Sequence, residues 1–200
     1  MDKRQMDGFE KRKAQKKDSV RRASLELFKT YGFQKVTINE IARRAGVSQV
    51  TIYNHFGSKA ELMRDVLKWH MLEILEKYRN TMTGNVPFME KLESIVFDKS
   101  QVVGEFQGEL LNTIVEEDLT LKAFLEELYI NDVMPMMANF FNEGIQQGYI
   151  STKISTETIL LYFEIIRRGF FEMPDIVAQT QRKPELLKEL IQLMTYGLNG

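Results

Sequence analysis

Apolar side chains recur along this chain at intervals of three and four and nowhere alternate in twos over a sustained stretch. That is the period of helices, not of strands, so an all-α protein is expected. Val20, Ala23, Leu27, Phe28 and Tyr31 mark one helical face that stops near Gly32. A short helix then carries Ile38, Ile41, Ala42 and Ala45. Thr37 with Glu40 three residues on is a capping box, in which each side chain satisfies an orphan backbone N–H, and Gly46 ends the helix. A further short helix runs from Ser48 to about His55, and Ser58-Lys-Ala-Glu61 is a second capping box that opens a long helix through Leu62, Val66, His70 and Tyr78. Gly84-Asn-Val-Pro87 breaks the chain. Helices are expected after it at about 87–101, 105–115, 119–147, 156–173 and 184–197, with Pro135 kinking the third of these and Pro184 in the first turn of the last. The pattern predicts about nine helices: a three-helix head, then a C-terminal helical bundle.

Composition narrows the function. Apolar residues make up 44% and charged residues 28%, enough to build a core and too apolar for a disordered chain. There is no Cys, and His55 and His70 are the two histidines, so thiolate sites and a histidine metal cage are not expected. No apolar run reaches the ~18–20 residues of a membrane span, and the charged first twenty residues do not read as a secretory signal. The expected location is cytoplasmic. No Gly-rich phosphate loop, G-x-S-x-G or H-E-x-x-H occurs. The pairs Glu116-Glu117 and Glu126-Glu127 are adjacent on helices and point apart. Neither an enzyme nor a bound cofactor or metal is expected.

The net charge of −1 hides an asymmetry: residues 1–70 hold 16 Lys/Arg against 8 Asp/Glu, a net of +8, and residues 71–200 hold 11 against 20, a net of −9. A basic head on an acidic body suggests a polyanion ligand for the head. Half of the excess lies in residues 1–17, which read equally well as a basic flexible tail. The spacing in residues 38–56 fits a helix-turn-helix or, alternatively, a helical hairpin of a larger bundle, and the basic charge favours the first. A helix-turn-helix needs a small residue where its helices approach, here Ala42, and a turn residue four later that tolerates positive φ, here Gly46. Ile41, Ala45, Val47, Ile52 and Phe56 then dock both helices on a third. Ser48, Gln49, Thr51, Tyr53, Asn54 and His55 remain for an outer polar face able to enter a major groove.

The run Thr37-Ile-Asn-Glu-Ile-Ala-Arg-Arg-Ala-Gly-Val-Ser-Gln-Val-Thr-Ile-Tyr-Asn-His-Phe-Gly-Ser-Lys-Ala-Glu-Leu62, with Leu27-Phe28-Lys-Thr-Tyr-Gly-Phe33 before it, closely resembles the DNA-binding signature of the TetR family of bacterial transcriptional regulators. The resemblance covers about residues 18–66 and implies a DNA-binding domain there, with a ligand-binding and dimerisation domain over 67–200. It implies a homodimer on a near-palindromic double-stranded DNA operator, usually a repressor, released by a small-molecule effector. Residue by residue, it puts Gln49, Val50, Thr51 and Tyr53 at the groove, and Thr37, Tyr53, His55 and Lys59 at phosphates. Asn39 matches an occasional base reader. Val50 stands where the family often has Gly, Ala or Pro.

In the body, the resemblance assigns the last two helices to a dimer interface. Ile159, Phe163, Ile166 and Phe170 form one face of the first, and Leu187, Leu190, Ile191 and Met194 make the second apolar over more than one stripe. Domain core alone is the other reading. Phe88, Leu92, Phe106, Phe124, Leu128, Met137 and Phe141 supply an aromatic and Met-rich surface suited to an adaptable apolar pocket, or equally to plain core. The alternative function is a structural or co-regulatory DNA-binding protein whose body holds a protein partner.

Overall fold

The computed structural model describes residues 8–92, 94–95, 118–172, 183, 185, 186, 189 and 193. The chain divides into two compact units, Met1–Leu72 and Glu73–Gly200. Every regular element among the described residues is helical: α1 (Gly8–Tyr31), α2 (Ile38–Ala45), α3 (Gln49–Phe56), α4 (Lys59–Thr83), α5 (Leu119–Leu128), α6 (Met134–Gln146) and α7 (Thr156–Glu172), with a π-helical turn at Tyr129–Val133. That is seven α-helices where about nine were expected. The expected helix at 105–115 lies outside the described residues; the one at 87–101 is helical at 88–92, 94 and 95, with the rest outside them, and that at 184–197 is described only at 185, 186, 189 and 193.

The first unit is built by local rules. In α1, residues 8–17 are helical where the sequence suggested a flexible tail. Lys, Arg, Gln, Glu and Ala dominate there, all good helix formers, and nothing in that stretch after Gly8 breaks the ladder. Thr37 caps α2 in the anticipated reciprocal box: its hydroxyl accepts the Glu40 N–H, and the Glu40 carboxylate accepts the Thr37 N–H at 2.7 Å. Gly46 closes α2 at φ 67°, a left-handed conformation that costs any residue with a Cβ. Ser48 caps α3 by accepting the Thr51 N–H at 3.1 Å. At α4 only half of the second box forms: Ser58 accepts the Glu61 N–H, and Glu61 turns its carboxylate to Arg64.

Val20, Phe28, Val36, Ile41, Ile52, Phe56, Leu62 and Val66 are buried together in this unit, each stabilising it by about 1.5–3 kcal/mol. Tyr31, expected on the same face of α1, is instead 60% exposed. A charged clasp joins α1 to α4. Asp65 accepts from Arg21 Nε at 2.6 Å and Nη2 at 3.2 Å, with Lys17 Nζ at 3.0 Å. Burial raises the proton affinity of Asp65, and the hydrogen bonds from Arg21 and Lys17 outweigh it, holding the carboxyl below its usual range.

In the second unit, Pro135 acts as expected on position but not on form. It has no N–H for the helical ladder, and the chain inserts one π turn ahead of it. The Met134 N–H reaches back five residues to the Tyr129 carbonyl, and α6 starts with Pro135 in its first turn. Phe88, Ile95, Phe140, Phe141, Ile150 and Ile159 form the core of this unit. Phe88 stacks on Phe140 at 4.7 Å and on Tyr149 at 5.6 Å, and Gly144 makes room for its ring. Lys91 is 3% exposed beside this core, its ammonium 2.7 and 3.0 Å from the two carboxylate oxygens of Glu143. Periodicity reading does not anticipate a buried lysine, because it sorts residues by type.

Candidate nucleic-acid interface

Burial of Ile52 and Phe56 orients α3. With those two inward, Gln49, Val50, Tyr53 and Asn54 occupy the opposite face at the spacing of one helical stripe, and all four are exposed. Thr37, Asn39 and Ser48 are also exposed, and Thr51, His55 and Lys59 are half-buried. All ten residues expected at DNA therefore lie in the first unit, on α2, α3, their caps and the first residue of α4. Val50 is 66% exposed and Tyr53 48%, a branched apolar group and a phenol in water without a core role. Such side chains suit a thymine methyl and a phosphate oxygen respectively.

Hydrogen bonds divide these residues by what each has left to offer. The Gln49 amide donates to Asn39 Oδ1 at 3.2 Å, joining α3 to α2 across the turn and presenting two amides as one unit. Thr37 spends its N–H and its hydroxyl proton on Glu40, so phosphate binding there requires exchange with that carboxylate. Those two bonds from Thr37, then Arg43 and Lys59 nearby, hold Glu40 below the usual carboxylate range. The Ser48 and Thr51 hydroxyls bond each other at 2.9 Å, which fits Ser48 primarily as a cap. Lys59 lies 4.5 Å over the Phe33 ring and 3.4 Å from the Gln34 carbonyl, a weak tether near a helix N-terminus that itself attracts phosphate. Arg44 pairs with Glu26 across α1 and α2, so of the two neighbouring arginines it is the structural one.

His55 ends the stripe, its ring tilted against Phe56 at 6.1 Å. Burial first, then the charges of Lys13, Lys17 and Lys16, lower its pKa, which favours the neutral imidazole. Sequence reasoning missed this neighbourhood. It set residues 1–17 aside as a tail, and only the early start of α1 brings Lys13 and Lys16 to the end of α3.

The body residues sort differently from expectation. Phe88 and Phe141 are core, 1% and 3% exposed, with Leu92 and Met137 packed against them. Phe124 and Leu128 are half-buried on α5, and Phe106 lies outside the described residues. Open depressions are lined by Leu27, Tyr31, Glu40, Arg43 and Arg44 in the first unit and by Glu73, Glu76, Lys77, Asn80 and Thr81 in the second, without a member of the aromatic set. On α7 the expected outward face needs correction. Ile159 is 1% exposed in the core, and Phe163 packs 5.1 Å from the Phe141 ring. The outward stripe is Leu161, Tyr162 and Ile165, at 60%, 43% and 61% exposure. The helix is apolar on both sides, and periodicity alone does not say which side meets Phe141. Ile166, Phe170, Leu187, Leu190, Ile191 and Met194 lie outside the described side chains. No helix among the described residues is long and apolar enough to cross a membrane.

Residues 20–66 match the profile of bacterial regulatory proteins of the tetR family. The chain is 23% identical over 137 residues to the HTH-type transcriptional repressor KstR2 of Mycobacterium tuberculosis, covering 66% of this chain and 68% of that one. It shares its fold with a transcriptional regulator FadR from Bacillus subtilis, solved in complex with stearoyl-CoA, at a TM-score of 0.61 and 20% identity over 90% of this chain and 98% of that one. A putative TetR-family transcriptional regulator from Mesorhizobium loti superposes at a TM-score of 0.71 with 17% identity, over 94% and 96% of the two chains.

Proposed function

We propose that this chain, whose residues 20–66 match the tetR-family profile and which is similar to a transcriptional repressor, is a DNA-binding transcriptional regulator that represses as a homodimer on a near-palindromic operator and leaves it when a small amphipathic molecule occupies the body. The observation that carries the DNA reading is the solvent-facing stripe of Gln49, Val50, Tyr53 and Asn54 on a helix whose other side is core. Asn39 and Gln49 read bases as a bonded pair, and Tyr53, His55 and Lys59 hold phosphates, with Thr37 joining when Glu40 yields it. Two copies place two such stripes in successive major grooves, about 34–36 Å apart.

Dimerisation through the outer face of α7 accounts for Leu161, Tyr162 and Ile165 in water, a stripe that an isolated body leaves uncovered. Leu193, one of the few described residues in the last stretch expected to be helical, is 69% exposed and is available to the same interface. The effector site draws on Leu92 and Met137, which pack partly exposed against the Phe88 and Phe141 core, and on Phe124 and Leu128, half-buried on α5. A fold shared with a stearoyl-CoA complex makes a long-chain acyl thioester the first effector class to test. An effector moves the equilibrium only by binding the DNA-released form more tightly; ~3 kcal/mol of coupling lowers operator affinity about 150-fold.

The experiment begins with a duplex selected by the protein from a random library, to which stearoyl-CoA is then added. Release from the duplex with a raised thermal midpoint of the free protein is expected. If the thioester and a screen of apolar compounds leave both unchanged, the body serves a protein partner and the effector reading fails.

A further inference from the structure

The basic turns that open α1 have no role in the core of the first unit. Residues 8–17 carry Lys11, Arg12, Lys13, Lys16 and Lys17 against one acid, Glu10. Lys17 is committed: it pairs with Asp65 at 3.0 Å and lies 5.5 Å from the centre of the Phe56 ring. Two residues on, the Ser19 hydroxyl donates to the Ala45 carbonyl at 3.4 Å. These contacts pin α1 against the C-terminal ends of both α2 and α3. The helix ahead of that point continues for nine residues, 8–16, which at ~1.5 Å each extends it about 13 Å beyond the pinned turn.

Lys13 lies one turn before Lys17 on the same side of α1, and Lys16 is within about 60° of Lys13 around the helix. Both are exposed, and neither ammonium has an acidic partner among the described residues. Lys17, Arg21 and Arg44, by contrast, are each neutralised by a carboxylate. Lys17 lies over the Phe56 ring at the end of α3, so Lys13, one turn earlier on the same side of α1, and Lys16 beside it extend from that end of the DNA-facing stripe. An unneutralised cluster of like charge raises the energy of the free protein, and a polyanion running past it reverses the sign of that term.

We propose that the opening turns of α1 are a second DNA-gripping element, in which Lys13 and Lys16 hold backbone phosphates flanking the base pairs that α3 reads. The occupant is DNA continuous with the groove contacts, because the cluster adjoins the exposed stripe and is of one charge. Flexible ammonium groups act as point charges, so this element adds affinity and salt dependence without reading sequence. The inference rests on the DNA-binding function proposed above.

The test compares the full-length protein with K13Q/K16Q on the duplex that the wild type selects from a random library, across a salt series. Each lost phosphate contact lowers the slope of log affinity against log salt by about 0.9, so two per head lowers it by about 3.6 for a dimer. That drop is expected, with the selected sequence unchanged. Lys122→Gln, exposed on α5, leaves the slope as it was. In an NMR titration of free protein, removing two neighbouring positive charges raises the His55 midpoint. An unchanged slope overturns the proposal, and so does an unmoved His55 midpoint. Loss of binding to phosphatidylserine vesicles with DNA affinity intact also overturns it, assigning the cluster to a membrane surface. Failure of the wild type itself to select a duplex contradicts the DNA-binding function, whereas a steep slope shared by wild type and K13Q/K16Q contradicts this inference alone.

Discussion

Substituting Gly144 by Ala tests the packing of the body at the point where it is tightest. A Cβ built on Gly144 comes 2.6 and 2.7 Å from two carbons of the Phe88 ring and 2.9 Å from Ile150 Cδ1. Carbon atoms rest at about 3.5–4.0 Å, so the ring has to move by roughly 1 Å. It is stacked on Phe140 and Tyr149 and is 1% exposed, which leaves it no free direction. Inserting a methyl into such a site costs about 1–3 kcal/mol. Gly144 lies in the last turn of α6, where the preference for Ala falls short of the ~1 kcal/mol of a helix interior, and this offsets only a small part of the cost. The net expectation is a loss of about 1–2 kcal/mol, or about 2–8 °C in thermal midpoint at ~2–4 °C per kcal/mol for a chain of this size. Thermal and urea unfolding followed by circular dichroism measure it. In a Phe88→Leu background the ring collision is relieved, leaving only the Ile150 Cδ1 contact at the end of a flexible side chain, and Gly144→Ala costs less; the difference between backgrounds is the coupling. A higher midpoint for Gly144→Ala in the wild-type background refutes the reasoning, since helix propensity would then be acting with no ring in the way.

Further expectations concern the first unit. Asp65→Asn removes the negative charge, and one of the two acceptor oxygens, shared by Arg21 and Lys17 and lowers stability by about 1–2 kcal/mol, a modest figure because the clasp is partly exposed. The folded carboxyl sits below its unfolded value, so its contribution is full above about pH 4 and fades as pH falls through the folded value; acid unfolding of Asp65→Asn lacks that component. The Ser24 hydroxyl is 0% exposed with no hydrogen-bond partner among the described residues, so Ser24→Ala is neutral or raises the midpoint, as unfolding curves will report. Tyr53→Ala and Lys59→Ala weaken binding to selected and random duplexes alike in a salt titration, because phosphate contacts position without reading sequence.

What the sequence disclosed follows from the range of the forces involved. The Thr37–Glu40 box, the Ser48 cap and the left-handed Gly46 are decided within four residues, and each formed where its residues stood. The exposed face of α3 was legible for the same reason, since Ile52 and Phe56 leave their opposite stripe no other place. Non-local choices were not. Ile159 and Phe163 turned inward because Phe141 was there to meet them. Lys91 entered the body because Glu143, 52 residues away in sequence, accompanies it. The aromatic set looked like a pocket or a core, and Phe88 and Phe141 are core.

The account turns on the outer face of α3 reading DNA with Asn39 bonded to Gln49. Parallel selection of preferred duplexes from one random library by wild type, Gln49→Ala and Asn39→Ala tests this most directly. The account predicts a two-fold symmetric wild-type site, with both variants losing preference at the same symmetric pair of positions by about 1–3 kcal/mol each. Selection of the same site, at the same preference, by all three proteins would contradict it.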